Sequence, residues 1–520
     1  MPIQPTAEQQ LVVDSDADVL AVDACAGSGK SSVLEVYTDK RPGKRILLVC
    51  FNKAIAEAAK QRYPRNVECR TTHSLAFSAY GRQYAQKLGN PSAWDISQQL
   101  NCPVRHARNA LTALTTWLSS TDQQMNDIHV EDEIQDEAAR AQTVDLARAL
   151  WSTMCDASSP MRMLHDGYLK LWALSKPVLR FDIILLEEAQ DTNPVTLDIV
   201  LAQRRHAKLV FVGDRHQGIY GFRKAINAME KVPATLRLPL TQSFRYPDEI
   251  AQIATALLQT FKQERNTIRG LTSVKARWKI DRTKHYAIIS RTNVLLFGEL
   301  ARVVTQDKPV TAIHYVGGFN GYFFDKVLDA YRLSSNERHL IRDESILRFA
   351  DFNAFGTYGE EANDFEIKAL ARVIAEYGDR IPDIYNALKA AESPENRSKI
   401  TVTTAHKSKG LEWEQTLLTD DFIELPPPKD KEFDPEDINL LYVAVTRTRR
   451  SVELPASLTS WLEDRWPGWP PTETTATGND AGRGSDSGMD DLPPDSAFLP
   501  TDYLLSDDGF DGAPDFTLPA

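Results

Sequence analysis

No run of about 18 uncharged apolar residues occurs anywhere in the chain, which excludes a membrane-spanning helix of ordinary length. The opening Met1-Pro2-Ile3-Gln4 lacks a basic stretch followed by an apolar one, so no secretory leader is expected. Cysteine is scarce. The five thiols, at 25, 50, 69, 102 and 155, form no CxxC pair and are confined to the first third of the chain. That distribution argues against a disulfide framework or a structural zinc site and for a reduced, intracellular setting.

An excess of positive charge is also missing: the formal net charge is −12. Its distribution matters more than its sum. From Pro471 to Ala520 there are eleven acids against Arg483 alone. The tail thus carries −10 of the total, and the remaining body is close to neutral at −2. A near-neutral body can still hold a basic groove, so charge neither supports nor excludes a polyanionic partner.

What is present is a series of short apolar, β-branched runs, each ending in a polar turn. They are Val19–Val22, Ile46–Cys50, Ile183–Leu186, Leu209–Val212, Tyr286–Ile289 and Ile400–Thr403. With helical stretches between them, they read as buried parallel strands in α/β layers. Ligands of such sheets bind beyond the carboxyl ends of the strands, where the polar motifs of this chain stand. Helical spacing takes over from about Ala76 to Arg180, and a second mixed insert runs from roughly Gly317 to Asn396. Both interrupt the strand pattern, which then resumes. After about Trp466 the chain is rich in Pro, Gly, Ser, Thr and Asp and reads as a disordered acidic tail.

Ala24-Cys25-Ala26-Gly27-Ser28-Gly29-Lys30-Ser31 follows the first strand and opens a helix. Its glycines let backbone N–H groups wrap a phosphate, Lys30 neutralises charge, and Ser31 offers a hydroxyl to Mg²⁺. Ala24 stands where the motif usually has Gly; the bland alternative is a Gly-rich strand–helix turn. The strand Ile183–Leu186 delivers Glu187-Glu188-Ala189-Gln190-Asp191. Two carboxylates at a buried strand end are costly unless they meet a cation. Glu187 is expected to hold Mg²⁺ and Glu188 to polarise the attacking water. The alternative is an acidic start to the next helix.

In order along residues 5–455, these and further motifs resemble the UvrD/Rep group of superfamily 1 helicases. Phe51-Asn52-Lys53-Ala54, Thr72-His73-Ser74-Leu75-Ala76, Val212 through Arg223, Gln242-Ser243-Phe244-Arg245, Ser290-Arg291-Thr292-Asn293, Thr404 through Trp413 and Leu441 through Arg447 carry the likeness. The wording is most similar to the F-box DNA helicases, although no F-box is found ahead of the phosphate loop, which suggests a motor-only relative.

The resemblance implies two RecA-like cores, one combining residues 1–75 and 181–235, the other 236–316 and 397–465. The inserts are then 76–180 and 317–396, and the tail is 466–520. It implies an ATP- and Mg²⁺-dependent motor on single-stranded DNA and its junctions with duplex, moving 3′→5′, in repair, recombination or replication. Lys30, Glu188, Gln217, Arg245 and Arg447 are the implied catalytic set. Gln9 is implied to read adenine, Phe244 to stack on it, and Gly410 and Glu412 to join the nucleotide site. Arg245 and Arg447 come from the second core, so ATP closes the cleft between cores and hydrolysis opens it. Phe51, Asn52, Lys53, Thr72, His73, Tyr220, Phe222, Arg223, Arg291 and His406 are the implied DNA contacts. For the aromatics, core packing is the alternative; for the arginines, surface ion pairs.

The expected setting is intracellular, and cytoplasmic near the nucleoid in a prokaryote or phage, with no membrane partner. The tail's apolar residues, such as Phe510 and Phe516, suggest docking on a protein partner or on the motor; the alternative is an inert solubilising tail. Two other outcomes stay open: a translocase that strips proteins from DNA without unwinding it, and a nucleotide-dependent regulatory or defence switch.

Overall fold

The computed structural model describes residues 4–221, 226–306, 308–361, 364–427 and 434–470. They divide into two compact units, one of residues 4–25 and 29–240, the other of 26–28 and 241–470.

The first unit is built on six parallel strands: β1 (Val19–Ala24), β2 (Ile46–Cys50), β3 (Val67–Thr71), β4 (Ile183–Leu186), β5 (Lys208–Gly213) and β6 (Leu236–Leu240). Their order across the sheet is β3-β2-β4-β5-β1-β6. β2 and β4 are buried along their whole length, as a parallel sheet covered on both faces requires. The sequence division at 235/236 leaves β6 outside this sheet, yet Leu20 pairs with Leu236 and Val22 with Leu238. β6 reads Leu-Arg-Leu-Pro-Leu and is exposed for much of its length, so it carries no apolar run to announce it. An edge strand tolerates such a proline.

The excursion between β3 and β4 is helical. Helices Val104–Ser119, Glu137–Cys155 and His165–Leu174 pack around Leu114, Trp117, Leu150, Met154 and Trp172. The long helix Val104–Ser119 buries Ala107, Ala110, Leu114, Trp117 and Leu118, at spacings of three and four that define one face.

The second unit holds a short pair, β7 (Gln242–Pro247) with β8 (Arg269–Leu271), and a five-stranded parallel sheet. Its strands are β9 (Tyr286–Ser290), β10 (Ile313–Tyr315), β11 (Ile400–Thr404), β12 (Trp413–Leu418) and β13 (Thr448–Glu453), ordered β10-β11-β9-β12-β13. The excursion between β10 and β11, expected to be mixed, has helices such as Asp325–Ser334, Phe365–Tyr377 and Ile381–Ala390 and no strand among its described residues.

Candidate functional site

Every motif of the first unit lies at the carboxyl end of a parallel strand. β1 runs into the loop ending at Gly29, and the helix Lys30–Asp39 starts at once. Gly29 caps that helix at φ +75° and Gly27 stands at φ +73°, left-handed conformations open to glycine at little cost. A helix N-terminus directed at the loop brings partial positive charge to it, as an anion site needs.

β4 delivers Glu187 and Glu188 beside it. Ser31 Oγ donates to the Glu187 carboxylate, and Lys30 Nζ lies 3.7 Å from Glu188. Burial, followed by the neighbouring Glu188 charge, pushes Glu187 up to about 7, against the opposing pull of Ser31, Lys30 and Arg62. A buried carboxylate beside a hydroxyl is a donor pair suited to a divalent cation, so Ser31 and Glu187 fit the expected Mg²⁺. Among the described residues, no cluster of three or more acids, histidines or cysteines could hold a metal alone. The remaining ligands would have to be water and phosphate.

Glu188 adopts φ +50°, an unfavourable left-handed conformation for a residue with a Cβ. A hydrogen-bond chain fixes this strand end. Gln190 Nε2 donates to Glu188 at 2.5 Å and to Asp191 at 3.2 Å. Asp214 N, beyond the end of β5, donates to Gln190 Oε1 at 3.1 Å, and Gln217 Nε2 donates to Asp214 at 2.9 Å. Gly213 is needed here, because a Cβ would come within 2.4 Å of Gln190 Oε1. Gln190 and Asp214 join Glu188 to Gln217. Both lie inside the quoted motifs, so the signal was present without an assigned role.

Other residues have partners that spacing could not reveal. Gln9 closes a capping box: Thr6 N donates to Gln9 Oε1 at 3.0 Å, and Gln9 N to Thr6 Oγ1 at 3.2 Å. Phe51 is half exposed and stacks on Tyr220, with ring centres 6.3 Å apart and planes 14° apart. Asn52 caps the helix Lys53–Arg62, and Lys53 is exposed. Thr72 is buried, and His73 Nε2 meets Asp166 of the helical insert at 3.0 Å. Phe222 and Arg223 lie outside the described residues.

In the second unit, Phe244 on β7 is exposed, and Arg245 Nε donates to Glu412 at 2.5 Å within a buried pair. Arg447 is fully buried; its Nε donates to Val443 O at 2.9 Å. Burial first, then the Arg245 charge, lowers its pKa to about 9. After β9, Arg291 pairs with Asp437 at 2.6 Å. After β11, the loop carrying His406 turns at Gly410, φ +84°.

A phosphate loop and two acids at the strand ends of one parallel sheet, with a second parallel α/β sheet beyond it in the chain, define two RecA-like cores. Residues 106–232 match the UvrD/REP helicase N-terminal domain, and residues 399–454 match the UvrD-like helicase C-terminal domain. Both matches are to UvrD-like helicase domains, one N-terminal and one C-terminal, in the order they take along this chain. It is 31% identical to F-box DNA helicase 1 of Gallus gallus, over 88% of this chain and 49% of that protein. It is 29% identical to F-box DNA helicase protein 1 of Schizosaccharomyces pombe, over 87% of this chain and 58% of that protein. The chain thus spans about half the length of the curated relatives it matches.

Proposed function

We propose that this chain is an ATP-driven DNA helicase or translocase that moves 3′→5′ on single-stranded DNA. The observation that carries the reading is the chain of contacts from Lys30 through Glu188, Gln190 and Asp214 to Gln217. It couples the phosphate loop to the ends of two neighbouring strands, so a change at the nucleotide is felt where the loop containing Tyr220 begins.

In this reading Lys30 and the N–H groups of the loop bind the β- and γ-phosphates. Ser31 and Glu187 hold Mg²⁺, which supplies charge neutralisation on the phosphates when bound. Glu188, held at φ +50° and bonded to Gln190, orients the attacking water and accepts its proton. Gln217 senses the terminal phosphate. Arg245 and Arg447 stabilise charge developing on the transferred group, which requires Arg245 to exchange its bond to Glu412 for one to phosphate. Gln9 and Phe244 hold the adenine, with Gly410 and Glu412 in the same nucleotide set. Phe51, Asn52, Lys53, Thr72, His73, Tyr220, Phe222, Arg223, Arg291 and His406 form the DNA path. The acidic tail is proposed to engage a protein partner.

The test is the rate of ATP hydrolysis with and without single-stranded DNA, paired with unwinding of a duplex bearing a 3′ or a 5′ overhang. Stimulation by DNA with unwinding from the 3′ overhang supports the reading. Stimulation without unwinding would leave a translocase, and ATP binding without DNA-stimulated turnover would leave a switch.

A further inference from the structure

Residues 316–325 read Val-Gly-Gly-Phe-Asn-Gly-Tyr-Phe-Phe-Asp and leave the second sheet directly after β10. Three of the four rings are sealed into the core. Phe319, Tyr322 and Phe324 are buried, with Phe319 and Phe324 centred 5.5 Å apart and Tyr322 and Phe324 5.8 Å apart. The single Tyr322 hydroxyl hydrogen is shared between Val402 O of β11, 2.8 Å away, and Val316 O, 3.0 Å away. Phe319 N donates to the Glu392 carboxylate at 2.8 Å. With its neighbours on both sides fixed inward, Phe323 is forced outward. It is 69% exposed and sits at φ +51°, ψ 35°, a left-handed conformation that a bulky residue adopts only when its surroundings over-determine it.

A second element fixes the same turn. Lys407, immediately after His406, donates from Nζ to Gly321 O at 2.7 Å and lies 3.9 Å over the Tyr322 ring. A Cβ on residue 321 would come within 2.8 Å of that ammonium, so Gly321 makes room for it. Burial lowers the Lys407 pKa to about 8. The turn that displays Phe323 is therefore bolted to the loop that carries His406. β10, β11 and β9 are adjacent and parallel, so the segments bearing Phe323, His406 and Arg291 all leave the same carboxyl edge of the sheet.

An isolated exposed phenylalanine is ordinary on a protein surface. One held out rigidly, at the ligand-binding edge of a parallel sheet, beside a proposed DNA-contacting loop, has a specific use. We propose that Phe323 is a further base-stacking contact for single-stranded DNA, with Lys407 as the positioning residue that ties it to the His406 loop. This inference rests on the proposed DNA-motor reading. A flat ring outside any pocket accepts every base on its π-face, so the contact is indifferent to sequence.

The test uses the full chain and fluorescence anisotropy with two probes, a thymidine homopolymer and an abasic strand of equal length. Phe323→Ala and Phe323→Gly are expected to raise the Kd for the thymidine strand roughly fivefold to a hundredfold, the range of one lost stack. Phe323→Trp should stay within about twofold of the native chain. On the abasic strand all of them should bind alike. Glycine suits φ +51°, so a loss with Phe323→Gly cannot come from backbone strain. Lys407→Met should weaken thymidine binding in the native chain and add little to Phe323→Ala, because both act through one contact. Native affinity in both Phe323→Ala and Phe323→Gly overturns the proposal while leaving the DNA reading intact. So does an equal loss on both strands. Failure of the native chain to bind the thymidine strand overturns the DNA reading and this contact with it.

Discussion

Ser31 Oγ donates to the buried carboxylate of Glu187, so the hydroxyl after the phosphate-loop lysine and the acid ending β4 already meet. The UvrD/Rep motif that this segment resembles usually begins with Asp where Glu187 stands, and Glu is one methylene longer. A cation seated between the two groups must first part them. Glu187→Asp withdraws the carboxylate by about one bond length and opens that space. The expected outcome is a lower Mg²⁺ concentration for half-maximal ATPase and a rise in turnover. A fall in turnover on titration with Mg²⁺ would show instead that the loop is tuned to Glu.

Lys30→Ala removes the ammonium beside Glu188. Its ion pair is long, at 3.7 Å, whereas the phosphate role proposed for it has no substitute. DNA-stimulated phosphate release should fall about a hundredfold or more, with the thermal midpoint changed by only a few degrees. Turnover near the native rate would refute the phosphate-loop assignment.

Arg245 and Glu412 are both nearly excluded from solvent. Removing one leaves the other charged and buried, at a cost of about 3 kcal/mol. Arg245→Ala and Glu412→Ala should each destabilise the chain, and the double variant should be less destabilised than the sum by about 1–3 kcal/mol. Urea denaturation of the four species measures the coupling. Strict additivity would mean that the pair contributes nothing as a pair.

Lys170 caps the helix Val104–Ser119 from a neighbouring helix. Its Nζ donates to Trp117 O at 3.0 Å and Ser120 O at 2.7 Å, and it lies 4.5 Å over the Trp117 ring. Burial lowers its pKa from 10.5 to about 8, outweighing the charges of Asp122 and Asp198. Between those two values the unfolded chain holds a proton that the folded chain has released. The Lys170 contribution to stability therefore rises with pH across that window and is constant below it. Relative to Lys170→Met, the native chain should gain up to about 3 kcal/mol between pH 7.5 and pH 10.5. Parallel pH dependences for the two proteins would contradict this.

Strands covered on both faces were legible as apolar runs: β1, β2, β4, β5, β9 and β11. β3, with the sequence Val-Glu-Cys-Arg-Thr, and β13, with Thr-Arg-Arg-Ser-Val-Glu, were not, because only part of each is buried and the polar residues mask the run. The motif residues were legible by type and order. Their pairings were not: His73 meets a residue 93 positions away, Arg291 one 146 away, and Arg245 one 167 away. Such partners are fixed by topology, which local spacing does not encode. Gln9 is the reverse case, since Thr6-x-x-Gln9 is a capping box readable from local spacing alone.

The pairing of β1 also governs how the first sheet comes into being. Val19 lies beside Leu209, and Leu20 beside Leu236, so one edge of β1 has no mate until the chain has been made to about residue 213, and the other none until about residue 240. At ordinary synthesis speeds of about 5–20 residues per second, that wait lasts roughly ten to forty seconds. The helical excursion, whose contacts are mostly local, can consolidate during the interval. Meanwhile β1 emerges as a bare apolar strand on a nascent chain, open to mispairing, whereas β2 gains β3 within about twenty residues. The step that completes the sheet is the late insertion of β5 and β6 around β1, and it comes only after the helices between them have had time to form.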